Sequence, residues 1–169
     1  MSIESMPVSS IMTKQVKTAR EGQTIRAVAA MMTEHGIGSI VVTGEDGVSI
    51  KGIITERDIV KLVGSPQTSF AAPVKDVMKK PVVTAHVMTS LRDAIQAMEA
   101  RNIRRLPVVD SGGKMVGIVT DKDIFRAIIK SQALLSGILS DNVLVEYKPM
   151  YERLSEFMMS EIYLPGGRE

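Results

Sequence analysis

A short stretch occurs twice in this chain, and its repetition constrains the fold more than any other feature of the sequence. The first copy, GIITERDI, begins at Gly52, and the second, GIVTDKDI, begins at Gly117. In each copy a run of β-branched apolar residues ends at a threonine, and an aspartate three residues later opens an amphipathic segment. This order predicts a strand that leads directly into a helix. Two copies predict two equivalent sites.

The similarity between the two halves extends well beyond this stretch. A shift of 66 positions superimposes identical residues along most of each half, from Val8 on Val74 to Val42 on Val108. Further on the shift becomes 65, because one turn of the first half is a residue longer than its counterpart in the second. A difference of this kind in a surface turn is what a duplicated unit tolerates best. We therefore interpret the chain as a tandem duplication.

Each repeat has the pattern of a strand, a helix, two strands and a second helix. Thr24 and Ser90 are in N-cap positions for the first helices, and Gly36 and Asn102 are candidate left-handed stops after them. The predicted strands are 15–18, 39–43 and 49–54 in the first repeat, and 81–84, 105–109 and 115–119 in the second. The second helices are predicted over 56–63 and 121–130.

These elements predict an α+β protein built from two units. We place the first unit at 8–64, a linker containing glycine and proline at 65–73, and the second unit at 74–130. A partly helical C-terminal tail, with apolar residues at helical spacing, is predicted over 131–169. A three-stranded sheet with helices on one side leaves its other face uncovered, so we expect the two units to pack against each other as a pseudo-twofold pair.

Composition argues against several function classes. The chain contains no cysteine and only two histidines, so we expect no disulfide and no metal site. No serine, histidine and acid set and no phosphate-cradling glycine loop stands out, so we predict no catalytic residues and no enzyme activity. No apolar run approaches the roughly 18 residues of a membrane span, and no signal peptide is evident at the start. We therefore expect a cytoplasmic protein.

The two halves, each closing with Gly-x-x-Thr-x-x-Asp in the same register, resemble a pair of CBS domains, the Bateman module. The resemblance covers about 8–130 and includes the sequence LPVVD, which begins at Leu106. The first unit departs from the pattern at its equivalent strand, IVVT from Ile40, which lacks the usual proline. The resemblance implies two tandem β-α-β-β-α units and, as is common in the family, a flat homodimer.

The Thr-x-x-Asp motif admits two interpretations that can coexist. As a capping box, the threonine hydroxyl and the aspartate carboxylate satisfy free amides at the start of a helix. As a ligand site, the helix start offers N–H groups and a hydroxyl, and the carboxylate can accept from the hydroxyls of a ribose. The sequence alone does not separate a cap from a ligand site.

Proteins of the family bind adenine nucleotides in clefts between their paired units, and the resemblance implies the same here. The ribose is held by the motif Asp and Thr, and the adenine by main chain of the other unit. One implied cleft combines Thr55, Arg57 and Asp58 with Thr84, Ile103, Arg104 and Arg105. The other combines Thr120, Lys122 and Asp123 with Thr18, Ala19, Ile37, Gly38 and Ser39. The ligand is left open among AMP, ADP, ATP and S-adenosylmethionine.

The leading functional hypothesis is therefore a regulatory module that senses an adenine nucleotide and acts on a separate, unidentified protein. The alternative is a scaffold or nucleic-acid-binding protein that uses the basic residues Arg101, Arg104 and Arg105, with Lys79-Lys80 as the other concentration of positive charge. Because arginine pairs well with phosphate, we expect the Asp58 cleft, with its arginines, to be the tighter site.

Overall fold

The computed structural model describes residues 5–65 and 69–130, with only the backbone of the last two, and the predicted tail 131–169 lies outside this range. The elements are β1 Thr18–Arg20, α1 Ile25–His35, β2 Ser39–Thr43, β3 Ile50–Thr55, α2 Glu56–Val63, β4 Ala85–His86, α3 Leu91–Ala100, β5 Arg105–Val109, β6 Met115–Thr120 and α4 Asp121–Lys130. Two short 3-10 turns, Val8–Ser10 and Val74–Asp76, begin the two repeats. None of the described helices is long and apolar enough to span a bilayer.

Two three-stranded sheets of the same design confirm the predicted α+β class. Their strand orders are β1-β2-β3 and β4-β5-β6. In each sheet the short first strand runs parallel to the second, and the second is antiparallel to the third. The registers are equivalent as well, since Val41 pairs with Ile53 where Pro107 pairs with Ile118. The duplication seen in the sequence is therefore a duplication of topology.

The predicted helix boundaries are confirmed at both ends of the first helix of each repeat. The Thr24 hydroxyl accepts from the Ala27 amide at 3.1 Å, and the Ser90 hydroxyl accepts from the Asp93 amide at 3.1 Å. Gly36 follows α1 with φ of 59°, and Asn102 follows α3 with φ of 49°. Both stops lie in the left-handed region that glycine and asparagine tolerate best.

The short first strands were predicted about three residues too early. They begin at Thr18 and Ala85 rather than at positions 15 and 81. In the first repeat, the Val16 amide donates to the carbonyl of Lys14 at 3.2 Å, so this part of the chain is a turn. In the second repeat, Pro81 has no amide hydrogen and cannot donate to a ladder. The apolar residues that suggested a strand therefore lie in the approach to it.

Both faces of the central strands are buried. Ile40 and Val42 face the core that contains Val28 of α1, and Val41 between them, on the opposite face, is only 1% exposed. In the second sheet Pro107 has the same position as Val41 and is also buried. The uncovered sheet face that the sequence implied is thus covered in the folded protein.

The segments that lead into each repeat pack on the opposite unit. We call residues 7–13 and 73–79 the leading segments. Val8 is fully buried in the second core, and its amide donates to the Thr89 carbonyl at 2.8 Å. Val74 is fully buried in the first core, and its amide donates to the Gln23 carbonyl at 2.7 Å. The sequence repeat and the packed core therefore do not coincide, because the leading segments are exchanged.

The exchange explains the glycine of the repeated motif. A Cβ added at Gly52 would overlap the side chain of Met78, and one added at Gly117 would lie 2.5 Å from Met12 Sδ and 3.0 Å from the Thr13 carbonyl oxygen. Each glycine thus leaves space for a methionine of a leading segment. The motif glycines are packing positions, which their place in a strand did not reveal.

Candidate functional site

Both Thr-x-x-Asp motifs form capping boxes, as one of the two interpretations predicted. Asp58 Oδ2 accepts from the Thr55 amide at 3.0 Å, and the Thr55 hydroxyl accepts from the Asp58 amide at 3.3 Å. The corresponding distances for Asp123 and Thr120 are 2.9 Å and 3.2 Å. In each motif the hydroxyl also donates to Oδ2 of the same aspartate, at 2.6 Å and 2.7 Å. The caps orient both carboxylates and leave Oδ1 of each for another partner.

At the first motif this second partner comes from the chain itself. Lys79 Nζ lies 2.8 Å from Asp58 Oδ1, and the two side chains are 60% and 10% exposed. Burial raises the pKa of Asp58, but hydrogen bonds from Lys79 and Thr55 outweigh it, so the pKa is held below the ordinary value of 3.8. Asp58 is therefore a carboxylate whose two oxygens are both occupied.

The ion pair predicts a pH dependence of stability. Because the folded-state pKa of Asp58 is lowered, its stabilising contribution is complete above the unfolded value and is lost as the pH falls through the folded value. Asp58→Asn is thus expected to lower the free energy of unfolding at neutral pH, and the deficit should shrink in strong acid. Urea unfolding of the wild type and of Asp58→Asn, from neutral pH to strong acid, measures this difference in stability. A deficit independent of pH would contradict the assignment.

The second motif faces a cleft between the two units. The cleft has a volume of about 830 Å³. Its walls include the motif residues Thr120, Lys122 and Asp123 and, from the first unit, Ile37, Gly38 and Ser39. No hydrogen bond or ion pair to Asp123 Oδ1 is found among residues 5–65 and 69–130. Within the described residues, the carboxylate that is closed at the first motif is therefore open at the second.

The structure groups the predicted site residues differently from the expected pairing. Of the second set, Thr18 and Ala19 do not line this cleft, and Ala19 is buried in the first core. Of the first set, Ile103, Arg104 and Arg105 line the cleft of Asp123, whereas Thr55, Arg57, Asp58 and Thr84 lie outside it. The arginines that we assigned to Asp58 thus line the same cleft as the other aspartate.

Arg105 accounts for this regrouping. Its Nη1 donates to the Gly38 carbonyl at 2.7 Å, which joins the start of β5 to the start of β2 across the two units. Burial lowers the pKa of the Arg105 guanidinium, while the carboxylates of Asp121, Glu56 and Asp58 raise it. Half-buried and already bonded, Arg105 is a bridge between the units and is poorly placed to serve an exposed nucleic-acid surface.

Several residues of the cleft were not predicted. Gln15, Val16 and Lys17 line it from the turn that was taken for a strand. Arg126 lines it from α4, three residues after Asp123, and this i to i+3 spacing was a usable signal. Lys79 was also missed as a partner of Asp58. The usable signal was that the equivalent position of the other repeat holds a different residue, Thr13.

One buried acceptor beside the cleft has no partner in the part of the chain that the structure describes. Glu99 of α3 lines the cleft, and its Oε1 is buried without a hydrogen bond. Leaving a buried carboxylate oxygen unsatisfied is unfavourable, and a ligand amino group can relieve it. Among the described residues, no group of three or more His, Cys, Asp or Glu has an arrangement that suits a metal ion.

Known proteins match this chain over the same duplicated region. The family model described as CBS domain matches residues 8–65 and 74–130. An uncharacterized protein of Methanopyrus kandleri is 38% identical over 125 residues, which are 73% of this chain and 63% of that protein. The CBS domain-containing protein YhcV of Bacillus subtilis is 40% identical over 117 residues, 69% of this chain and 81% of YhcV.

A solved structure shows the same fold. The CBS domain pair of protein MJ0100, in complex with 5′-methylthioadenosine and S-adenosyl-L-methionine, is 30% identical and superimposes with a TM-score of 0.67. The match covers 74% of this chain and 97% of that one. The chain spans less than two thirds of the Methanopyrus protein, so relatives of this kind also contain other sequence. Two family matches in the register of the duplicated motif show that this chain belongs to the CBS domain family.

Proposed function

We propose that this protein is a regulatory module that binds an adenosine-bearing ligand in the cleft of Asp123. The observation that carries the proposal is the Asp123 carboxylate, which its cap orients and which lines a cleft between the two units. Its Oδ1 can accept from the 2′- and 3′-hydroxyls of a ribose. The main chain of 37–39 lies on the same cleft and offers peptide groups to an adenine.

The dimensions and charges of the cleft support a small ligand of low net charge. A volume of about 830 Å³ is within the range of about 300–1,000 Å³ that is typical of small-molecule sites. The charged lining residues nearly balance: Lys17, Arg104, Arg105, Lys122 and Arg126 against Glu56, Glu99, Asp121 and Asp123. This balance favours 5′-methylthioadenosine, S-adenosylmethionine or AMP over ADP or ATP. The first two are the ligands of the MJ0100 domain pair.

The proposed role is regulatory because a ligand in this cleft would change how the two units are arranged relative to each other. A ligand that contacts both units stabilises one arrangement of them, and a partner protein that recognises this arrangement would respond. The partner, a homodimer and a cytoplasmic location remain predictions of the sequence and the family. The nucleic-acid alternative is weakened by two bonds, Arg105 to Gly38 and Lys79 to Asp58, which occupy two of its basic residues.

A thermal-shift screen with calorimetry tests the proposal. Ligand at a hundred times its Kd stabilises the native state by about 2.7 kcal/mol, which raises Tm by on the order of 5–10 °C. We expect a rise with 5′-methylthioadenosine, S-adenosylmethionine or AMP and the smallest rise with ATP. Asp123→Ala is expected to weaken binding by about tenfold or more, because it removes a charged acceptor.

The matched control is Asp93→Ala. Asp93 is the third residue of α3, as Asp123 is of α4, and its Oδ2 accepts from the Ser90 hydroxyl, but it does not line the cleft. The control therefore loses a carboxylate at the same helix position, but the residues that line the cleft are unchanged. Equal binding by wild type and Asp123→Ala would contradict the proposed site, and no shift with any of the four ligands would contradict the function.

A further inference from the structure

We propose that Lys79 closes the Asp58 site from within, so that an adenosine-bearing ligand binds once per chain, at Asp123. The inference deepens the proposed function and rests on it. It reverses the ranking of the two clefts that the arginines had suggested. The two copies of the motif would then have different roles, one as a ligand site and one as an internal ion pair.

The inference starts from the equivalence of Lys79 and Thr13. The two residues correspond in the repeat, each following the methionine that covers a motif glycine. The Lys79 amide donates to the Ile53 carbonyl at 2.8 Å, and the Ile53 amide donates to the Lys79 carbonyl at 3.0 Å. Thr13 and Ile118 form the same reciprocal pair of hydrogen bonds, at 2.9 Å each. The backbone therefore holds both residues in the same position relative to the following Thr-x-x-Asp.

Only the side chains differ at these two positions. The ammonium of Lys79 reaches Asp58 Oδ1 at 2.8 Å, while the short hydroxyl of Thr13 has no such contact with Asp123 in the described part of the chain. Thr13 instead lines the cleft. One substitution between otherwise equivalent positions thus separates a filled carboxylate from an open one.

A ribose at Asp58 would have to displace this lysine. The ammonium is tethered to the chain beside its partner, so its effective concentration is high, on the order of millimolar or above. After displacement, the buried Asp58 carboxylate would accept from neutral hydroxyls and no longer from a charged ammonium. Neutral hydroxyls are the weaker donors. We therefore expect ribose affinity at Asp58 to be at least about tenfold lower than at Asp123.

Exchanging the two side chains tests the inference. The probe is 5′-methylthioadenosine, which has a ribose but no phosphate that could bind to Lys79 instead. Calorimetry of the full chain is expected to give one equivalent for wild type and two for Lys79→Thr. Thr13→Lys introduces the equivalent lysine next to the Asp123 motif. We expect this variant to bind the ligand about tenfold or more weakly than wild type does.

Lys80→Thr is the control for the change in net charge. Lys80 is exposed, and its repeat counterpart Lys14 is the same residue, so this variant should still bind one equivalent. Two equivalents in the wild type, or one equivalent in Lys79→Thr, would overturn the inference and leave the proposed function standing. No binding by any variant would overturn the proposed function, and the inference with it.

Discussion

Replacing Val8 with aspartate is expected to loosen the second unit of the protein, although Val8 is the first residue of the first unit in the sequence. Val8 is fully buried among residues of the second core. An unpaired carboxylate there would cost about 3 kcal/mol or more. Hydrogen exchange followed by mass spectrometry should show the largest loss of protection over β4, α3 and β5, with β1 to β3 affected less.

Val74→Asp supplies the reciprocal experiment. Val74 is fully buried in the first core, so its replacement should affect β1, α1 and β2 most. Val48→Asp is the surface control, because Val48 is 50% exposed and an aspartate there stays in water. Loss of protection in the first unit on Val8→Asp would contradict the exchange of the leading segments.

Alanine at either motif glycine should destabilise the fold strongly. In Gly117→Ala the new methyl group meets Met12 and also the Thr13 backbone, which cannot rotate away. In Gly52→Ala the three atoms nearest to the new methyl group all belong to the side chain of Met78. Overpacking of this kind costs about 1–3 kcal/mol, and we expect Gly117→Ala to cost more than Gly52→Ala. Urea unfolding midpoints measure both.

Gly64→Ala is the control for the change from glycine to alanine. Gly64 ends α2 with right-handed helical angles, and a Cβ there would lie 3.6 Å from the Lys61 carbonyl oxygen, an ordinary contact. This variant should be neutral or more stable by about 0.4–1 kcal/mol, because alanine restricts the unfolded chain. If Gly117→Ala is as mild as Gly64→Ala, Met12 does not pack against β6 as described.

The leading segments connect these stability predictions to the ligand site. Met12 and Met78 cover the motif glycines, and the next residue in each segment, Thr13 or Lys79, is hydrogen-bonded to the strand that leads to the motif aspartate. The same short segment therefore completes a core and, in our proposal, determines what the neighbouring carboxylate can bind. Its exchange between units also means that each site depends on both halves of the chain.

The elements of this fold could be predicted from the sequence because local interactions define them. The hydroxyls of Thr24 and Ser90 cap helices through amides three residues away, and Gly36 and Asn102 end them by their own backbone angles. The Thr-x-x-Asp caps are equally local. The short first strands were misplaced because a strand of two or three residues has little periodicity, and its position depends on pairing with β2 or β5.

The sequence by itself determined the duplication, the order of the elements and the two capped aspartates. Only the tertiary structure decided which leading segment covers which sheet, that Lys79 bonds to Asp58, and that Arg104 and Arg105 line the cleft of Asp123. Both leading segments contain a valine and, four residues later, a methionine. The sequence therefore does not indicate which of the two segments packs against which motif glycine. The choice is made by contacts between residues far apart in the chain, and no local pattern encodes them.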